Sequence, residues 1–430
     1  MNYFKQIIYE LKNQKMMTWV SVSGTALAIF LIMAIFMAER LKQLDIAPLT
    51  ERDRIMIGQG IHFSDDKGSS ASGMGIDYNL AQKIYCNLDG VEKESFIRNI
   101  WGKVEAGLPQ GETLATDAIR VDDEFWKIYD YKFISGKPFE KEEINSGTKL
   151  AILTEETARE IFGEADVAGR TLDIDNIPYR VKGVIEDQYP MLPDAKNGIF
   201  LTFTPGETSS YYEGIFGETN IRLLLKEGTN PDYIKAQVAK RYEDLNREYG
   251  KEKKAVNYHN QPYTYKELSL GSFGSNNEPP VKSHRMQMFF YYGILLLLPA
   301  INLSSMTRSR LQHRISEIGV RRAFGAKRRN IISQIFTENF IISIGGGIIG
   351  LLCSLLFLLF LSGYFIAVDD IMEGGSLENV SIAPVVWQVF DWATLFITIG
   401  ACLVLNILSA TLPSWRAASI EPATAIAKTR

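Results

Sequence analysis

The chain has 430 residues, enough by length for two or three folding units. Its formal net charge of -4 and mean hydropathy of -0.04 resemble a soluble protein, but the average hides a split between charged and uncharged stretches. No HExxH, CxxC…H or GxSxG pattern occurs, and the four histidines (His62, His259, His284, His313) are scattered. A zinc site, a serine hydrolase and a nucleic-acid partner are therefore not expected.

At the start of the chain, Phe4, Ile7, Ile8 and Leu11 fall on one helical face, with Lys5 and Lys12 elsewhere. This pattern predicts an interfacial helix over residues 1–15, lying against membrane lipid. Residues 17–38 carry no Asp, Glu, Lys or Arg and predict a first span (TM1). Phe36 stands where signal-peptide cleavage would need a small residue, so the span reads as an uncleaved anchor. Ser21, Gly24 and Ala28 give it one small-residue face for close helix packing.

Residues 39–285 are mixed in composition. Ile119–Val121, Leu150–Leu153, Tyr179–Ile185 and Ile221–Leu225 read as strands. Glu155–Phe162 reads as a helix capped by Thr154, and Pro231–Tyr249 as a longer one capped by Asn230 with Pro231 at its first position. Gly58–Gly75 and Leu268–Lys282 read as loops, the second as a hinge. The region holds a single cysteine, Cys86, and must be held by its core rather than by an internal disulfide. Together these features predict an α+β domain. Its segment Gly163–Thr171 superficially suggests a phosphate loop. The glycine spacing is one residue too long and Arg170 replaces the required Lys, so no nucleotide site is assigned.

Three further uncharged runs follow: 286–307 (TM2), 339–368 (TM3) and 392–412 (TM4). Pro299 would free a backbone carbonyl in TM2 and kink it. Gly346 and Gly350 form a small-xxx-small pair in TM3. Asn302 and Asn406 are polar residues suited to hydrogen bonding between helices. No span carries a central ionisable residue, so neither an ion relay nor a conduit is expected.

Charge sets the orientation. Outside 39–285, every Lys and Arg lies at the N-terminus, in the 308–338 link or in the 413–430 tail. The 369–391 loop has five acidic residues and no basic one. By the positive-inside rule both termini and the link are cytoplasmic, and 39–285 and 369–391 lie outside. Within the link, Ser316 reads as a helix cap, Glu317 sits in the first turn, and Gly325-Ala326 breaks the helix before Lys327–Arg329. Positive-inside charge or anionic lipid would explain its basic residues, but not the Glu-Ile-Gly-Val run and the Gly-Ala break, which look shaped for a protein partner.

The run Arg314, Glu317, Ile318, Gly319, Val320, Arg321, Arg322, Ala323, Phe324, Gly325, Ala326 resembles an element of the permease family that includes FtsX, the lipoprotein-releasing permeases and MacB. The tail Leu412–Ile426 is similar to the family's ending. Val121–Trp126, Gly136–Phe139, Ile161–Gly163, Ala168–Leu172 and Tyr179–Val184 look like a MacB-type periplasmic core.

The resemblance implies four transmembrane helices and an α+β extracytoplasmic domain of two subdomains, with an insert at about 118–190. It implies a non-catalytic permease subunit of an ABC transporter in the bacterial inner membrane. A separate cytoplasmic ATPase subunit would bind ATP, with no cofactor in this chain itself. A second permease copy, as homo- or heterodimer, and a periplasmic adaptor would complete the assembly. ATP-driven motion would pass to the periplasmic domain and export a substrate, by mechanotransmission. An FtsX-like regulator of a cell-envelope enzyme and a lipoprotein-releasing permease are the alternatives. Carried over residue by residue, ATPase coupling falls to Arg314, Glu317, Gly319, Arg321, Arg322, Gly325 and Ala326; the pattern of small and polar residues in the spans assigns helix packing to Ser21, Gly24, Ala28, Asn302, Gly346 and Gly350.

Overall fold

A computed structural model of the chain describes residues 15–41, 45, 47–65, 70–73, 75–109, 111–187, 197–205, 214–250, 254–268, 270, 278–313, 315–360 and 392–419. The expected interfacial helix over 1–15, apart from its last residue, lies outside them, as do the 369–391 loop and the tail beyond Ser419. The chain divides into two compact units. One comprises Met1–Leu41 with Lys282–Arg430, and the other Lys42–Val281.

The first unit opens with helix α1 (Lys15–Leu41). In the second unit the elements run β1 (Ile55–Gly58), β2 (Ile61–Asp65), β3 (Ser70–Gly73), α2 (Tyr78–Tyr85), β4 (Val91–Asn99), β5 (Val104–Gly107), β6 (Thr113–Val121), α3 (Phe125–Ile128), β7 (Phe133–Gly136) and α4 (Lys141–Asn145). They continue β8 (Leu150–Thr154), α5 (Glu155–Phe162), β9 (Thr171–Ile174), β10 (Ile177–Ile185), β11 (Asn197–Thr202), β12 (Thr219–Leu225), α6 (Pro231–Gly250), β13 (Lys254–Asn257), β14 (Tyr263–Thr264) and α7 (Tyr265–Leu268).

Local sequence explains much of this. The Thr154 hydroxyl accepts the Thr157 N–H, and Gly163, at φ +76°, ends α5. Asn230 accepts the Asp232 N–H at 2.9 Å and opens α6 ahead of Pro231. The Gly58–Gly75 reading needs correction, because this stretch contains β2 and β3. Ile61 and Phe63 are buried on alternate positions of β2, which pairs with β13 through Phe63 and Val256. The Gly/Ser/Asp composition signals a loop, and a partner strand about 190 residues downstream overrides it.

Six strands close a ring. β6 pairs in parallel with β11, β11 antiparallel with β8, and β8 in parallel with β10. β10 then pairs with β9, β9 with β5, and β5 returns to β6. Ala118, Ala151, Leu153, Leu172, Val181, Ile199 and Leu201 belong to one buried cluster contributed by these strands. A wing of β4, β12, β1 and β14 extends from β6. One wing face packs Ile221, Leu223 and Leu225 against α2 and α6, and the other places Ile57, Ile97 and Leu224 with Phe125.

The Val121–Trp126 motif works at the junction of ring and wing. Asp122 accepts the Ser95 hydroxyl at 2.7 Å and the N–H groups of Phe96 and Phe125. It therefore ties β4 to the start of α3. Burial pushes its carboxyl up to about 7, opposed by those three hydrogen bonds to the charged form.

The first unit resumes with α8 (Val281–His313), α9 (Ile315–Ala323), α10 (Arg328–Phe360) and α11 (Trp392–Ser419). Among the described residues three helices, α1, α8 and α10, are long and apolar enough to cross a membrane; α11 carries a shorter apolar stretch, Trp392–Leu405. α8 is assigned as helix without interruption across Pro299 and extends beyond 286–307 at both ends. Within this unit α1 packs most extensively on α10, and α11 packs on α10 as well.

Candidate coupling site

Helix α9 presents two different faces. Ile318 is buried with Leu311 of α8 and with Ile331 and Ile335 of α10. Gly319 beside it is also buried. On the other side Val320 is exposed, and Phe324 just beyond the helix is 88% exposed. Burying four aliphatic side chains anchors the short helix to its two long neighbours, each contributing about 1.5–3 kcal/mol when fully buried. It leaves an apolar and basic strip outward.

The helix end is set by Gly325. Its φ of +92° is left-handed, and the Ala326 N–H reaches back to the Arg321 carbonyl at 3.0 Å. The Phe324 N–H bonds the Val320 carbonyl at 3.1 Å. This closure suits glycine because a side chain at that φ is strained. It turns the chain directly into α10. The start of α9 differs from the expectation. The helix begins at Ile315, so Ser316 lies inside its first turn rather than capping it.

A line of polar side chains connects the outer face to the helical interior. Arg321 pairs with Glu317 one turn earlier and donates to Gln334 Oε1 of α10 at 3.1 Å. Gln334 Nε2 reaches Glu338 Oε1 at 3.4 Å, and Glu338 is buried. Next to it, buried Asn339 accepts the Thr307 hydroxyl of α8 at 3.3 Å. The line thus passes from an exposed carboxylate on α9, through a guanidinium, into α10, and a separate Thr307–Asn339 bond joins α10 to α8. Buried polar groups are costly unless bonded, which favours one fixed arrangement of the three helices.

Of the residues expected to couple, Glu317, Gly319, Arg321, Gly325 and Ala326 lie together on α9 and its end. Arg314 and the side chain of Arg322 fall outside the described residues. The packing residues sort onto two neighbours. A Cβ at Gly346 would come 2.8 Å from Thr25 Cβ, and one at Gly350 would come 2.6 Å from the Ala26 carbonyl oxygen. Both glycines therefore face α1 at van der Waals contact. Gly24 faces α8 instead, where a Cβ would overlap the Asn302 amide. Asn302 Nδ2 donates to the Val20 carbonyl at 3.3 Å. Ser21 and Ala28 are fully buried, and the Ser21 hydroxyl bonds the Met17 carbonyl.

Sequence reading missed Leu311, Ile331, Ile335, Gln334, Glu338, Asn339 and Thr307. A signal was present: Gln334, Glu338 and Asn339 put three polar residues at i, i+4 and i+5 where a helix enters an apolar run.

Comparisons with known proteins cover both units of the chain. The MacB-like periplasmic core domain family matches residues 18–241, and the FtsX-like permease C-terminal family matches 289–422. The macrolide export ATP-binding/permease protein MacB of Escherichia coli O157:H7 is 23% identical over 96% of this chain and 58% of its own length. MacB of Shigella sonnei (strain Ss046) gives the same identity and coverage. The chain thus spans 58% of the length of these relatives. The crystal structure of the periplasmic region of MacB from Actinobacillus actinomycetemcomitans covers 46% of this chain and 89% of its own, with 13% identity and a TM-score of 0.31. With more than half of its residues matched by the first family and the apolar helices by the second, the chain belongs to the MacB/FtsX-like permease family.

Proposed function

We propose that this chain is the mechanotransmission subunit of an ABC transporter. A cytoplasmic ATPase docks on the outer strip of α9, formed by Val320, Phe324, Glu317 and Arg321. Motion of that strip passes to α8 and α10, and from them to the 42–281 unit, which acts on a periplasmic substrate for export. The observation that carries this reading is the polar line Glu317–Arg321–Gln334–Glu338, because it joins the docking face to a buried helix interior. ATP is bound by the ATPase and no cofactor is assigned to this chain. In the same reading the chain sits in the inner membrane with four spans, α11 supplying the last, and with both termini cytoplasmic. A second permease copy and a periplasmic adaptor complete the assembly. The exported domain has two subdomains, drawn as the ring, whose strands fall between 104 and 202, and the wing. The match of 18–241 to the MacB-like core family favours export over the regulatory alternative.

The test is retention of the ATPase by the full-length chain in detergent. Arg321→Glu together with Arg322→Glu should lower retention at least about tenfold while membrane insertion is unchanged, since two charge-assisted contacts become repulsive. Retention equal to the parent chain would remove the docking role.

A further inference from the structure

We propose that His62 and His259 form an acid-operated latch on the segment of the 42–281 unit that leads into α8. The two residues stand about 200 positions apart in the chain, and folding brings their rings together edge to face, with centroids 6.2 Å apart. Both are half-buried. Histidine is the side chain whose charge ordinarily changes between pH 5 and 8. Two facing imidazoles are therefore neutral neighbours above that range and like charges below it.

The backbone around the pair is built to hold it. His62 lies on β2, and its register partners are Ser72 on β3 and Asn257 on β13. Just past β13 the chain turns back. The Asn257 side chain accepts the His259 N–H at 2.9 Å, and His259 and Asn260 follow with φ of +50° and +61°. Left-handed backbone is uncommon outside glycine and persists where its surroundings fix it. Here the Tyr263 hydroxyl donates to the His259 carbonyl. Buried Gln261 clamps the turn to the link between β1 and β2, accepting the Gln59 N–H and donating to the Gly60 carbonyl, both at 2.6 Å. Asn260 Nδ2 then donates to Glu278 Oε1 at 3.1 Å, just before α8 begins at Val281.

Few charges are at hand to offset two protons. Ser72 and Asn257 are neutral, and Asp65 and Lys254 are register partners at the other end of the β2–β13 ladder. Among the described residues Glu278 acts on His259, and Glu243 of α6 acts on Tyr258. Burial holds the Tyr258 and Tyr263 phenols above their ordinary range, so neither supplies negative charge. Lys235, over the Tyr263 ring, is paired with Glu267. Burial and then His62 push the His259 imidazole below its ordinary value, and Glu278 opposes them. The stability that the latch adds is therefore present above about pH 6.5. As pH falls through that value the unfolded chain binds protons that the latched turn resists, and this stability is lost. The first proton has Glu278 as a neighbour, whereas the second meets the first. Acid thus parts the end of the β2–β13 ladder and frees the turn that holds Glu278. The device uses only residues of the 42–281 unit and operates whether or not an ATPase docks on α9.

NMR of the full-length chain in detergent, grown with ring-labelled histidine, tests this, since the chain has only four histidines. Between about pH 8 and 5 the His62 and His259 signals, assigned from His62→Gln and His259→Gln, should titrate in two steps at least about one pH unit apart, with His259 the lower. His62→Gln should move the His259 step upward, and Glu278→Gln should move it further down. Glu278 is exposed, so its variant decides the matter if His62→Gln fails to fold. Hydrogen exchange reads the turn itself through the amides of Gln59 and Gln261, which bond Gln261 Oε1 and the Tyr258 carbonyl. Their protection should drop at least about tenfold from about pH 7.5 to 5.5, and should stay constant in the double variant His62→Gln/His259→Gln. Titration of both rings together at the ordinary value, a His259 step that neither variant moves, or protection that does not change with pH overturns the proposal.

Discussion

The two units of this chain treat large apolar side chains in opposite ways. In the 42–281 unit Phe125, Phe200, Tyr85 and Tyr242 are fully buried, and Trp101 is a rare large side chain left open. In the helical unit Trp19, Phe289, Ile294, Leu297, Phe396 and Leu408 are all exposed. The first pattern answers to water, where burying apolar area is the driving force. The second answers to lipid, where apolar surface is already solvated and close packing of small residues joins the helices. A single hydrophobicity rule therefore cannot predict which substitutions harm this protein.

That contrast can be broken by experiment. The largest effect is expected from Phe125→Ala, which empties the centre of an aromatic cluster with Trp126, Tyr131 and Phe200. It should cost about 3–5 kcal/mol and sharply lower the thermal midpoint of the 42–281 unit. Phe289→Ala, at a site 71% exposed, should leave the midpoint within error. Equal losses at the two sites would abolish the distinction between units.

Gly350→Leu probes the helical unit on its own terms. Its Cβ would press on the Ala26 carbonyl and on Ile29, and backbone cannot move aside as a flexible side chain does. Overpacking of this kind costs about 1–3 kcal/mol. Cysteine cross-linking between α1 and α10 should fall in the variant, and unchanged cross-linking would mean the glycine face is not the contact. Gly325→Ala should cost about 1–2 kcal/mol, since open space surrounds the site and the left-handed φ alone is strained. Its signature should be local: faster hydrogen exchange at the Ala326 N–H with little change in the rest of the chain.

How legible this was in the sequence depended on range. The helix Glu155–Phe162 was readable whole, because its cap, its amphipathic face and its terminating glycine are all local. The outward strip of α9 was equally readable from Glu317, Arg321 and Gly325. The closed ring was not, because β6 and β11 are parallel partners about 80 residues apart and no local pattern specifies that pairing. The polar line from α9 into α10 was half readable. Arg321 announced itself by charge, but its acceptor Gln334 lies on the next helix, and only folding of the α9–α10 turn brings the two within hydrogen-bond reach.

The ring and the wing meet along β6 in a short seam. Ile97, Arg98 and Asn99 of β4 pair with Val121, Arg120 and Ile119, whereas β4 and β12 share a ladder more than twice as long. A tug applied to the wing crosses to the ring through those few rungs and through the buried cluster around Phe125 that both share. The seam between ring and wing therefore runs through the rung of the two facing arginines, so that whatever spreads it also parts that pair.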